Sequence, residues 1–248
     1  MPKPKVSIIT ACLNAEEKLE KTIQSVLSQD FKNLEHIIID GLSGDGTVDI
    51  IHRYNKYIAY WVSEKDKGIA DAFNKGFLAS SGDWVVFLNA GDAYYDSNSL
   101  AKLMHYEADY DVVYGGFKCY RKSNNHPIYY KAQDVNSDIY WLKEAIPHQS
   151  CITRRAIFEK VGLFDTDFKC SMDYEHFLRA YKQGFRFKAI DEVITEVCGS
   201  GKTATHWKGT LQEFLLSQKK HWILPGLRVF YYWERFFRTY MYHKLGYF

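Results

Sequence analysis

Three short segments of this 248-residue chain carry side chains able to do chemistry. FLNAGD, residues 87–92, closes an apolar run with Asn89 and Asp92 in a glycine turn. A hard divalent cation that also binds a diphosphate and water needs only one or two protein carboxylates, so one such turn suffices; an ordinary Asn/Gly/Asp turn has the same sequence. IIIDGLSGDGT places Asp40 at the end of a second apolar run, where its carboxylate can accept a hydrogen bond from a base imide or a ribose hydroxyl. Ser43 and Asp45 there read as turn formers that cap a helix starting near Thr47. MDYEHFLRA opens a helix with Asp173, where an acid reads as an N-cap. A helix N-terminus keeps such a carboxylate ionised.

The intervening sequence supplies the elements that must position these residues. VSIITA, HIIID, IAYWVSE, DWVVFLN and YDVVYG are short β-branched or apolar runs, and helical patterns separate them. One such pattern sets Leu19, Ile23, Val26 and Leu27 on a single stripe. Strands alternating with helices predict an α/β fold with a Rossmann-like, mostly parallel central sheet and helices on both faces. Ligands then bind beyond the carboxyl ends of the strands, where the polar segments at 12–16, 40–46, 64–68 and 89–92 lie. FKCYR and PIYYK predict a hairpin, and FKAIDEVITEV paired edge strands.

The charge of +2 is too small to make nucleic acid a partner. Five scattered cysteines without a CxxC spacing point to a reducing, cytoplasmic setting and against a zinc site. VSIITACL after the basic MPKPK is too short for a signal peptide and reads as a first strand.

In order, ITACLNAEEKLEKTIQSVLSQ, DGLSGDGT, SEKDKGIADAFNKG, GDWVVFLNAGD and PHQSCITRRAIFEKVGLFD followed by MDYEHFLR resemble family 2 glycosyltransferases of the GT-A fold, from Val6 to about Val197. The resemblance implies an inverting transfer from a nucleotide-diphosphate sugar, a UDP-sugar, to a hydroxyl of a glycan or lipid-linked acceptor. It also implies Mn2+ or Mg2+ and a setting in polysaccharide or glycolipid assembly.

Carried over residue by residue, Thr10, Cys12, Asn14 and Glu16 border the nucleotide, and Asp40 holds the uracil. Asp66 and Asp71, in SEKDKGIADAFNKG, belong to the donor side; Glu64 and Lys67 are either donor contacts or a solvated loop. Asn89 stands at the first acid of the family's DxD motif, near the ribose, and with Ala90 and Gly91 belongs to the nucleotide and donor contacts. FLNAGD departs from the common FLDADD by placing Gly91 at the usual metal aspartate, so the resemblance leaves Asp92 as the metal ligand. Asp173 matches the catalytic base. His148 is a diphosphate or acceptor contact, or structural. Arg154 and Arg155 attract phosphate, or one covers a helix start and the other is solvated. Tyr140 and Trp141 stack on an acceptor sugar or fill the core.

The expected organisation is a catalytic domain over 1–205, with a nucleotide-binding half at 1–116 and an acceptor half at 117–205. A C-terminal helical extension at 206–248 follows. Its Lys and Arg set among Trp, Tyr and Phe suit a peripheral membrane contact, packing on the catalytic domain, or a homodimer. Two rivals stand beside the transferase: an inert sugar-nucleotide-binding protein, and a nucleotide-cofactor oxidoreductase. The latter needs GxGxxG after the first strand, where CLNAEE stands.

Overall fold

The computed structural model describes residues 5–120, 126–135, 146–197 and 207–221. Strands β1 (Val6–Cys12), β2 (Leu34–Asp40), β3 (Tyr60–Ser63) and β4 (Trp84–Phe87) run parallel in the order β3-β2-β1-β4. The other described strands are β5 (Ala93–Tyr94), β6 (Val112–Tyr120), β7 (Pro127–Tyr130), β8 (Cys151–Arg154) and β9 (Phe187–Val197). They extend the same sheet from β4 in the order β8-β6-β9-β5, and β7 pairs with β6. β8 is antiparallel to both β4 and β6, so the parallel half meets the mixed half at the β4–β8 seam.

Alternate residues of the inner strands serve opposite faces, as the two-residue period of a strand requires. Ile8 and Val86 pack with Val26 of α1 (Leu19–Leu27) and Leu100 of α4 (Ser99–Met104), while Ile38 packs with Ile50 of α2 (Thr47–Tyr54). Ile9, Ile39 and Phe87 face the other way, onto Phe73 and Phe77 of α3 (Ile69–Ala79) and Phe158 of α5 (Arg155–Val161). α6 (Met172–Lys182) buries Phe177 and Leu178 beside Val112.

Two elements differ from the expectation. YDVVYG and FKCYR are one strand, β6, because the glycines between them do not turn. A Cβ at Gly115 would lie 2.7 Å from the Glu192 carbonyl oxygen of β9, and one at Gly116 would strike the Tyr130 carbonyl oxygen of β7. These glycines admit neighbouring backbones. The expected division at 116/117 therefore falls within a strand. FKAIDEVITEV is likewise one strand, β9, parallel to β6 and antiparallel to β5.

Helix α7 (Trp207–Lys220) begins the C-terminal extension and packs on α6, with Phe214 edge-on to Tyr174 at 4.8 Å. Tyr140, Trp141, Cys198 and the extension beyond His221 lie outside the described residues. No helix among the described residues is long and apolar enough to cross a membrane.

Candidate active site

β4 ends in the turn Asn89–Asp92, and the turn is pinned from α1. The Thr22 hydroxyl accepts the Gly91 N–H at 2.9 Å and donates to the Asp92 carbonyl at 2.7 Å. Gly91 has φ of +100°, a conformation only glycine adopts without strain, so the glycine in the motif sets the direction in which Asp92 leaves the turn. The Asn89 side-chain amide lies 3.4 Å from Asp92 Oδ2 and 3.1 Å from His148 Nε2.

His148 comes from the segment leading into β8, which the β4–β8 seam brings beside β4. Its Nδ1 lies 2.9 Å from Asp173 Oδ2. Burial disfavours a charged ring, but the hydrogen bond and charge of Asp173, with the charge of Asp92, outweigh it and raise the His148 pKa above its ordinary value. Asp173 sits in the first turn of α6, its other oxygen accepting the Tyr174 N–H at 2.8 Å. Its side chain keeps 18% exposure, enough for an incoming hydroxyl to reach. His148, Asn89, Asp92 and Asp173 thus form one contiguous polar cluster beyond the end of β4.

The expected nucleotide residues divide. Thr10 is fully buried, its hydroxyl 2.9 Å from His36 Nε2 inside the sheet. Cys12 is also buried, with Sγ 3.6 Å from Asp40 Oδ1; burial first, then the Asp40 charge, pushes its thiol pKa up. Asp40, expected at the base, is fully buried too. Its carboxylate accepts the Ser43 N–H at 3.0 Å, the Ser63 hydroxyl at 2.6 Å and the Ser43 hydroxyl, and so shapes the β2 loop.

Asn14 and Glu16 are exposed beside that loop and accept the Gly44 and Gly46 amides at 3.0 and 2.7 Å. Asp45 caps the start of α2 as expected, accepting the Thr47 N–H at 3.0 Å. Asp71 accepts the Lys67 N–H at 3.0 Å and pairs with Lys75, so it organises the start of α3. Asp66 differs from these. One oxygen accepts the Gly68 N–H at 2.8 Å, and the other stands over Gly41, 2.5 Å from where a Cβ would be. The missing side chain at Gly41 makes room for a carboxylate at the end of β2.

Arg154 and Arg155 are both structural. Arg154 donates to the Glu107 carbonyl at 2.6 Å and pairs with Asp111, and Arg155 donates to the Gly82 carbonyl at 2.6 Å and covers Phe77. Neither is simply solvated. Thr22 and Ser63 were not marked by the sequence, since a Thr within an apolar helical stripe and a Ser at a strand end carry no signal without their partners.

No cluster of three or more His, Cys, Asp or Glu among the described residues could cage a metal unaided. A cation shared with a diphosphate needs less, and the turn offers it. Asn89 Oδ1 is buried without a hydrogen-bond partner, on the residue whose amide nitrogen neighbours the Asp92 carboxylate. One carboxylate and one neutral oxygen are hard donors that fit Mg2+ or Mn2+ completed by phosphate and water.

A family model described as "Glycosyl transferase family 2" matches residues 7–193. The chain is 32% identical over 184 residues to an uncharacterized glycosyltransferase of Mycobacterium tuberculosis, covering 71% of this chain and 69% of that one. It is 27% identical over 187 residues to a PGL/p-HBAD biosynthesis glycosyltransferase of Mycobacterium bovis, covering 73% and 71%. Among solved structures, S. aureus TarS 1-349 in complex with UDP-GlcNAc is similar with a TM-score of 0.66 at 16% identity, covering 86% of this chain and 66% of that one. The mannosyltransferase PcManGT from Pyrobaculum calidifontis, in complex with GDP-Man and Mn2+, gives 0.68 at 20% identity, covering 88% and 64%. This chain spans 39% of a longer TarS chain. The likeness to these structures is one of fold.

Proposed function

The chain belongs to glycosyl transferase family 2, and from that premise we propose that it transfers a sugar, with inversion, from a UDP-sugar to a hydroxyl of a glycan or lipid-linked acceptor. The observation that carries this reading is the polar cluster at the β4–β8 seam. His148 joins a carboxylate able to accept a proton, Asp173, to the turn that suits a diphosphate-bound cation.

In the proposed reaction the acceptor hydroxyl approaches Asp173, which removes its proton as the oxygen bonds to the anomeric carbon. The bond from that carbon to the diphosphate breaks, and its electron pair leaves with the nucleoside diphosphate. Direct displacement needs no second carboxylate as nucleophile. Asp92 and Asn89 Oδ1 would hold a divalent cation, which when bound supplies positive charge for the leaving diphosphate. The His148 hydrogen bond fixes the Asp173 carboxylate. At the base, Asp66 above Gly41 takes the part first expected of Asp40, its oxygen placed to accept from a uracil imide. Asn14 and Glu16 hold the rim of the same loop.

The test is nucleoside diphosphate release from a panel of UDP-, GDP- and CDP-sugars, with and without Mn2+, for the parent and Asp173→Asn. The reading expects turnover with UDP-sugars that the variant reduces by roughly 10²- to 10⁴-fold. A variant as fast as the parent would remove Asp173 as the base.

A further inference from the structure

We infer that Glu213, on the C-terminal helix α7, is a positioning residue for the catalytic base. One carboxylate gathers four donors from the three residues that lead into α6. Its Oε1 accepts the Lys169 N–H at 2.8 Å, and its Oε2 accepts the Cys170 N–H at 2.8 Å, the Ser171 N–H at 2.9 Å and the Ser171 hydroxyl at 3.0 Å.

Ser171 is the residue from which α6 begins, and its side chain makes no capping bond within that helix. The free amides at a helix start normally take such a bond from their own N-cap. Glu213 does not replace that cap: it holds the three backbone N–H groups just before the helix, in charge-assisted bonds stronger than neutral ones. Asp173 follows Ser171 by two residues, so the amides held by Glu213 fix where the base points. Phe214, the neighbour of Glu213, packs edge-on to Tyr174 at 4.8 Å and clamps the backbone on the other side of Asp173.

Other contacts of α7 flank this loop without touching its amides. Lys220 pairs with Asp165, stands 3.8 Å from Glu175 Oε1 and lies over the Phe168 ring, and His221 Nε2 lies 2.8 Å from Glu175, which is fully buried and also pairs with Arg179. α7 also lies beyond residue 193, where the family match ends. This chain thus uses an element outside the shared unit to aim a residue within it.

The inference rests on Asp173 being the base, and the experiment separates the two claims. Glu213→Gln and Lys220→Met are compared with the parent in the full chain, by steady-state kinetics, thermal unfolding, and amide hydrogen exchange of the segment 169–174. For Glu213→Gln, exchange in 169–174 accelerates and kcat falls by roughly 10- to 100-fold while the donor KM stays within about twofold, as expected when a reacting group is misplaced and binding is kept. Lys220→Met weakens the docking of α7 but removes no acceptor from the amides of 169–171, so it lowers the unfolding temperature and leaves kcat and exchange at those amides unchanged. Unaltered exchange at 169–174 in Glu213→Gln overturns the inference whatever the turnover, and so does an equal loss of kcat in the two variants. Full turnover by Asp173→Asn would instead refute the base assignment.

Discussion

His148 Nδ1 stands 2.9 Å from Asp173 Oδ2, and the opposite ring nitrogen stands 3.1 Å from the Asn89 amide. A single imidazole therefore touches both the proposed proton acceptor and the turn proposed for the cation. Groups that act as one unit lose their effects non-additively. His148→Ala is expected to lower kcat by roughly 10- to 100-fold. The double variant His148→Ala with Asp173→Asn should be no slower than Asp173→Asn alone, within about twofold. Initial rates of donor turnover check this, and losses that multiply would show that the two side chains act separately.

Gly41→Ala tests the room left for Asp66. The new Cβ would fall 2.5 Å from Asp66 Oδ2, the end of a short side chain that can swing away. The fold should tolerate the change, while UDP binding weakens by roughly tenfold through loss of one hydrogen bond to the base. Isothermal titration with UDP measures the affinity. Undiminished binding would mean that Asp66 does not contact the base.

Gly76→Ala should cost stability instead. Its Cβ would press into Ile9 Cγ2, with Ile39 Cγ1 at 3.3 Å, and both isoleucines are fully buried where α3 lies on β1 and β2. Overpacking against a sheet that cannot retreat costs about 1–3 kcal/mol. A lower urea midpoint with unchanged slope is the expected result.

Glu35 governs part of the acid response. Burial raises its pKa, but hydrogen bonds from the Ser7 hydroxyl, the Ser81 amide and Lys5 overcome that and pull it from 4.5 down to about 2. A carboxylate with a depressed folded-state pKa stabilises the fold fully above its unfolded value, and the contribution disappears as pH falls through the folded value. The advantage of the parent over Glu35→Gln should therefore be constant above pH 4.5 and vanish between 4.5 and about 2. Its size is roughly 2 kcal/mol, read from urea unfolding across that range.

The parallel half of the sheet was legible because each strand is an unbroken apolar run closed by a polar turn, and its pairing follows from the crossovers. The helix that carries Asp173 was legible because its pattern, MDYEHFLRA, is local to it. The burial of Asp40 was not legible because it is decided by Ser63, on a strand 23 positions later, and no local pattern records that cover. Gly115 and Gly116 read as a break because glycine marks a turn and a close backbone approach alike, and only the placement of β7 and β9 separates the two. Glu213 carried no local signal, since its donors stand 42 to 44 positions before it.

One continuous sheet lies beneath both sides of the reaction centre, and β4 and β8 are bonded neighbours within it. No hinge among the described residues separates the strand that leads to Asn89 from the strand that follows His148. The spacing between Asn89 and His148 is consequently set by backbone register. A change of acceptor would leave the sheet untouched and require new loops at its rim.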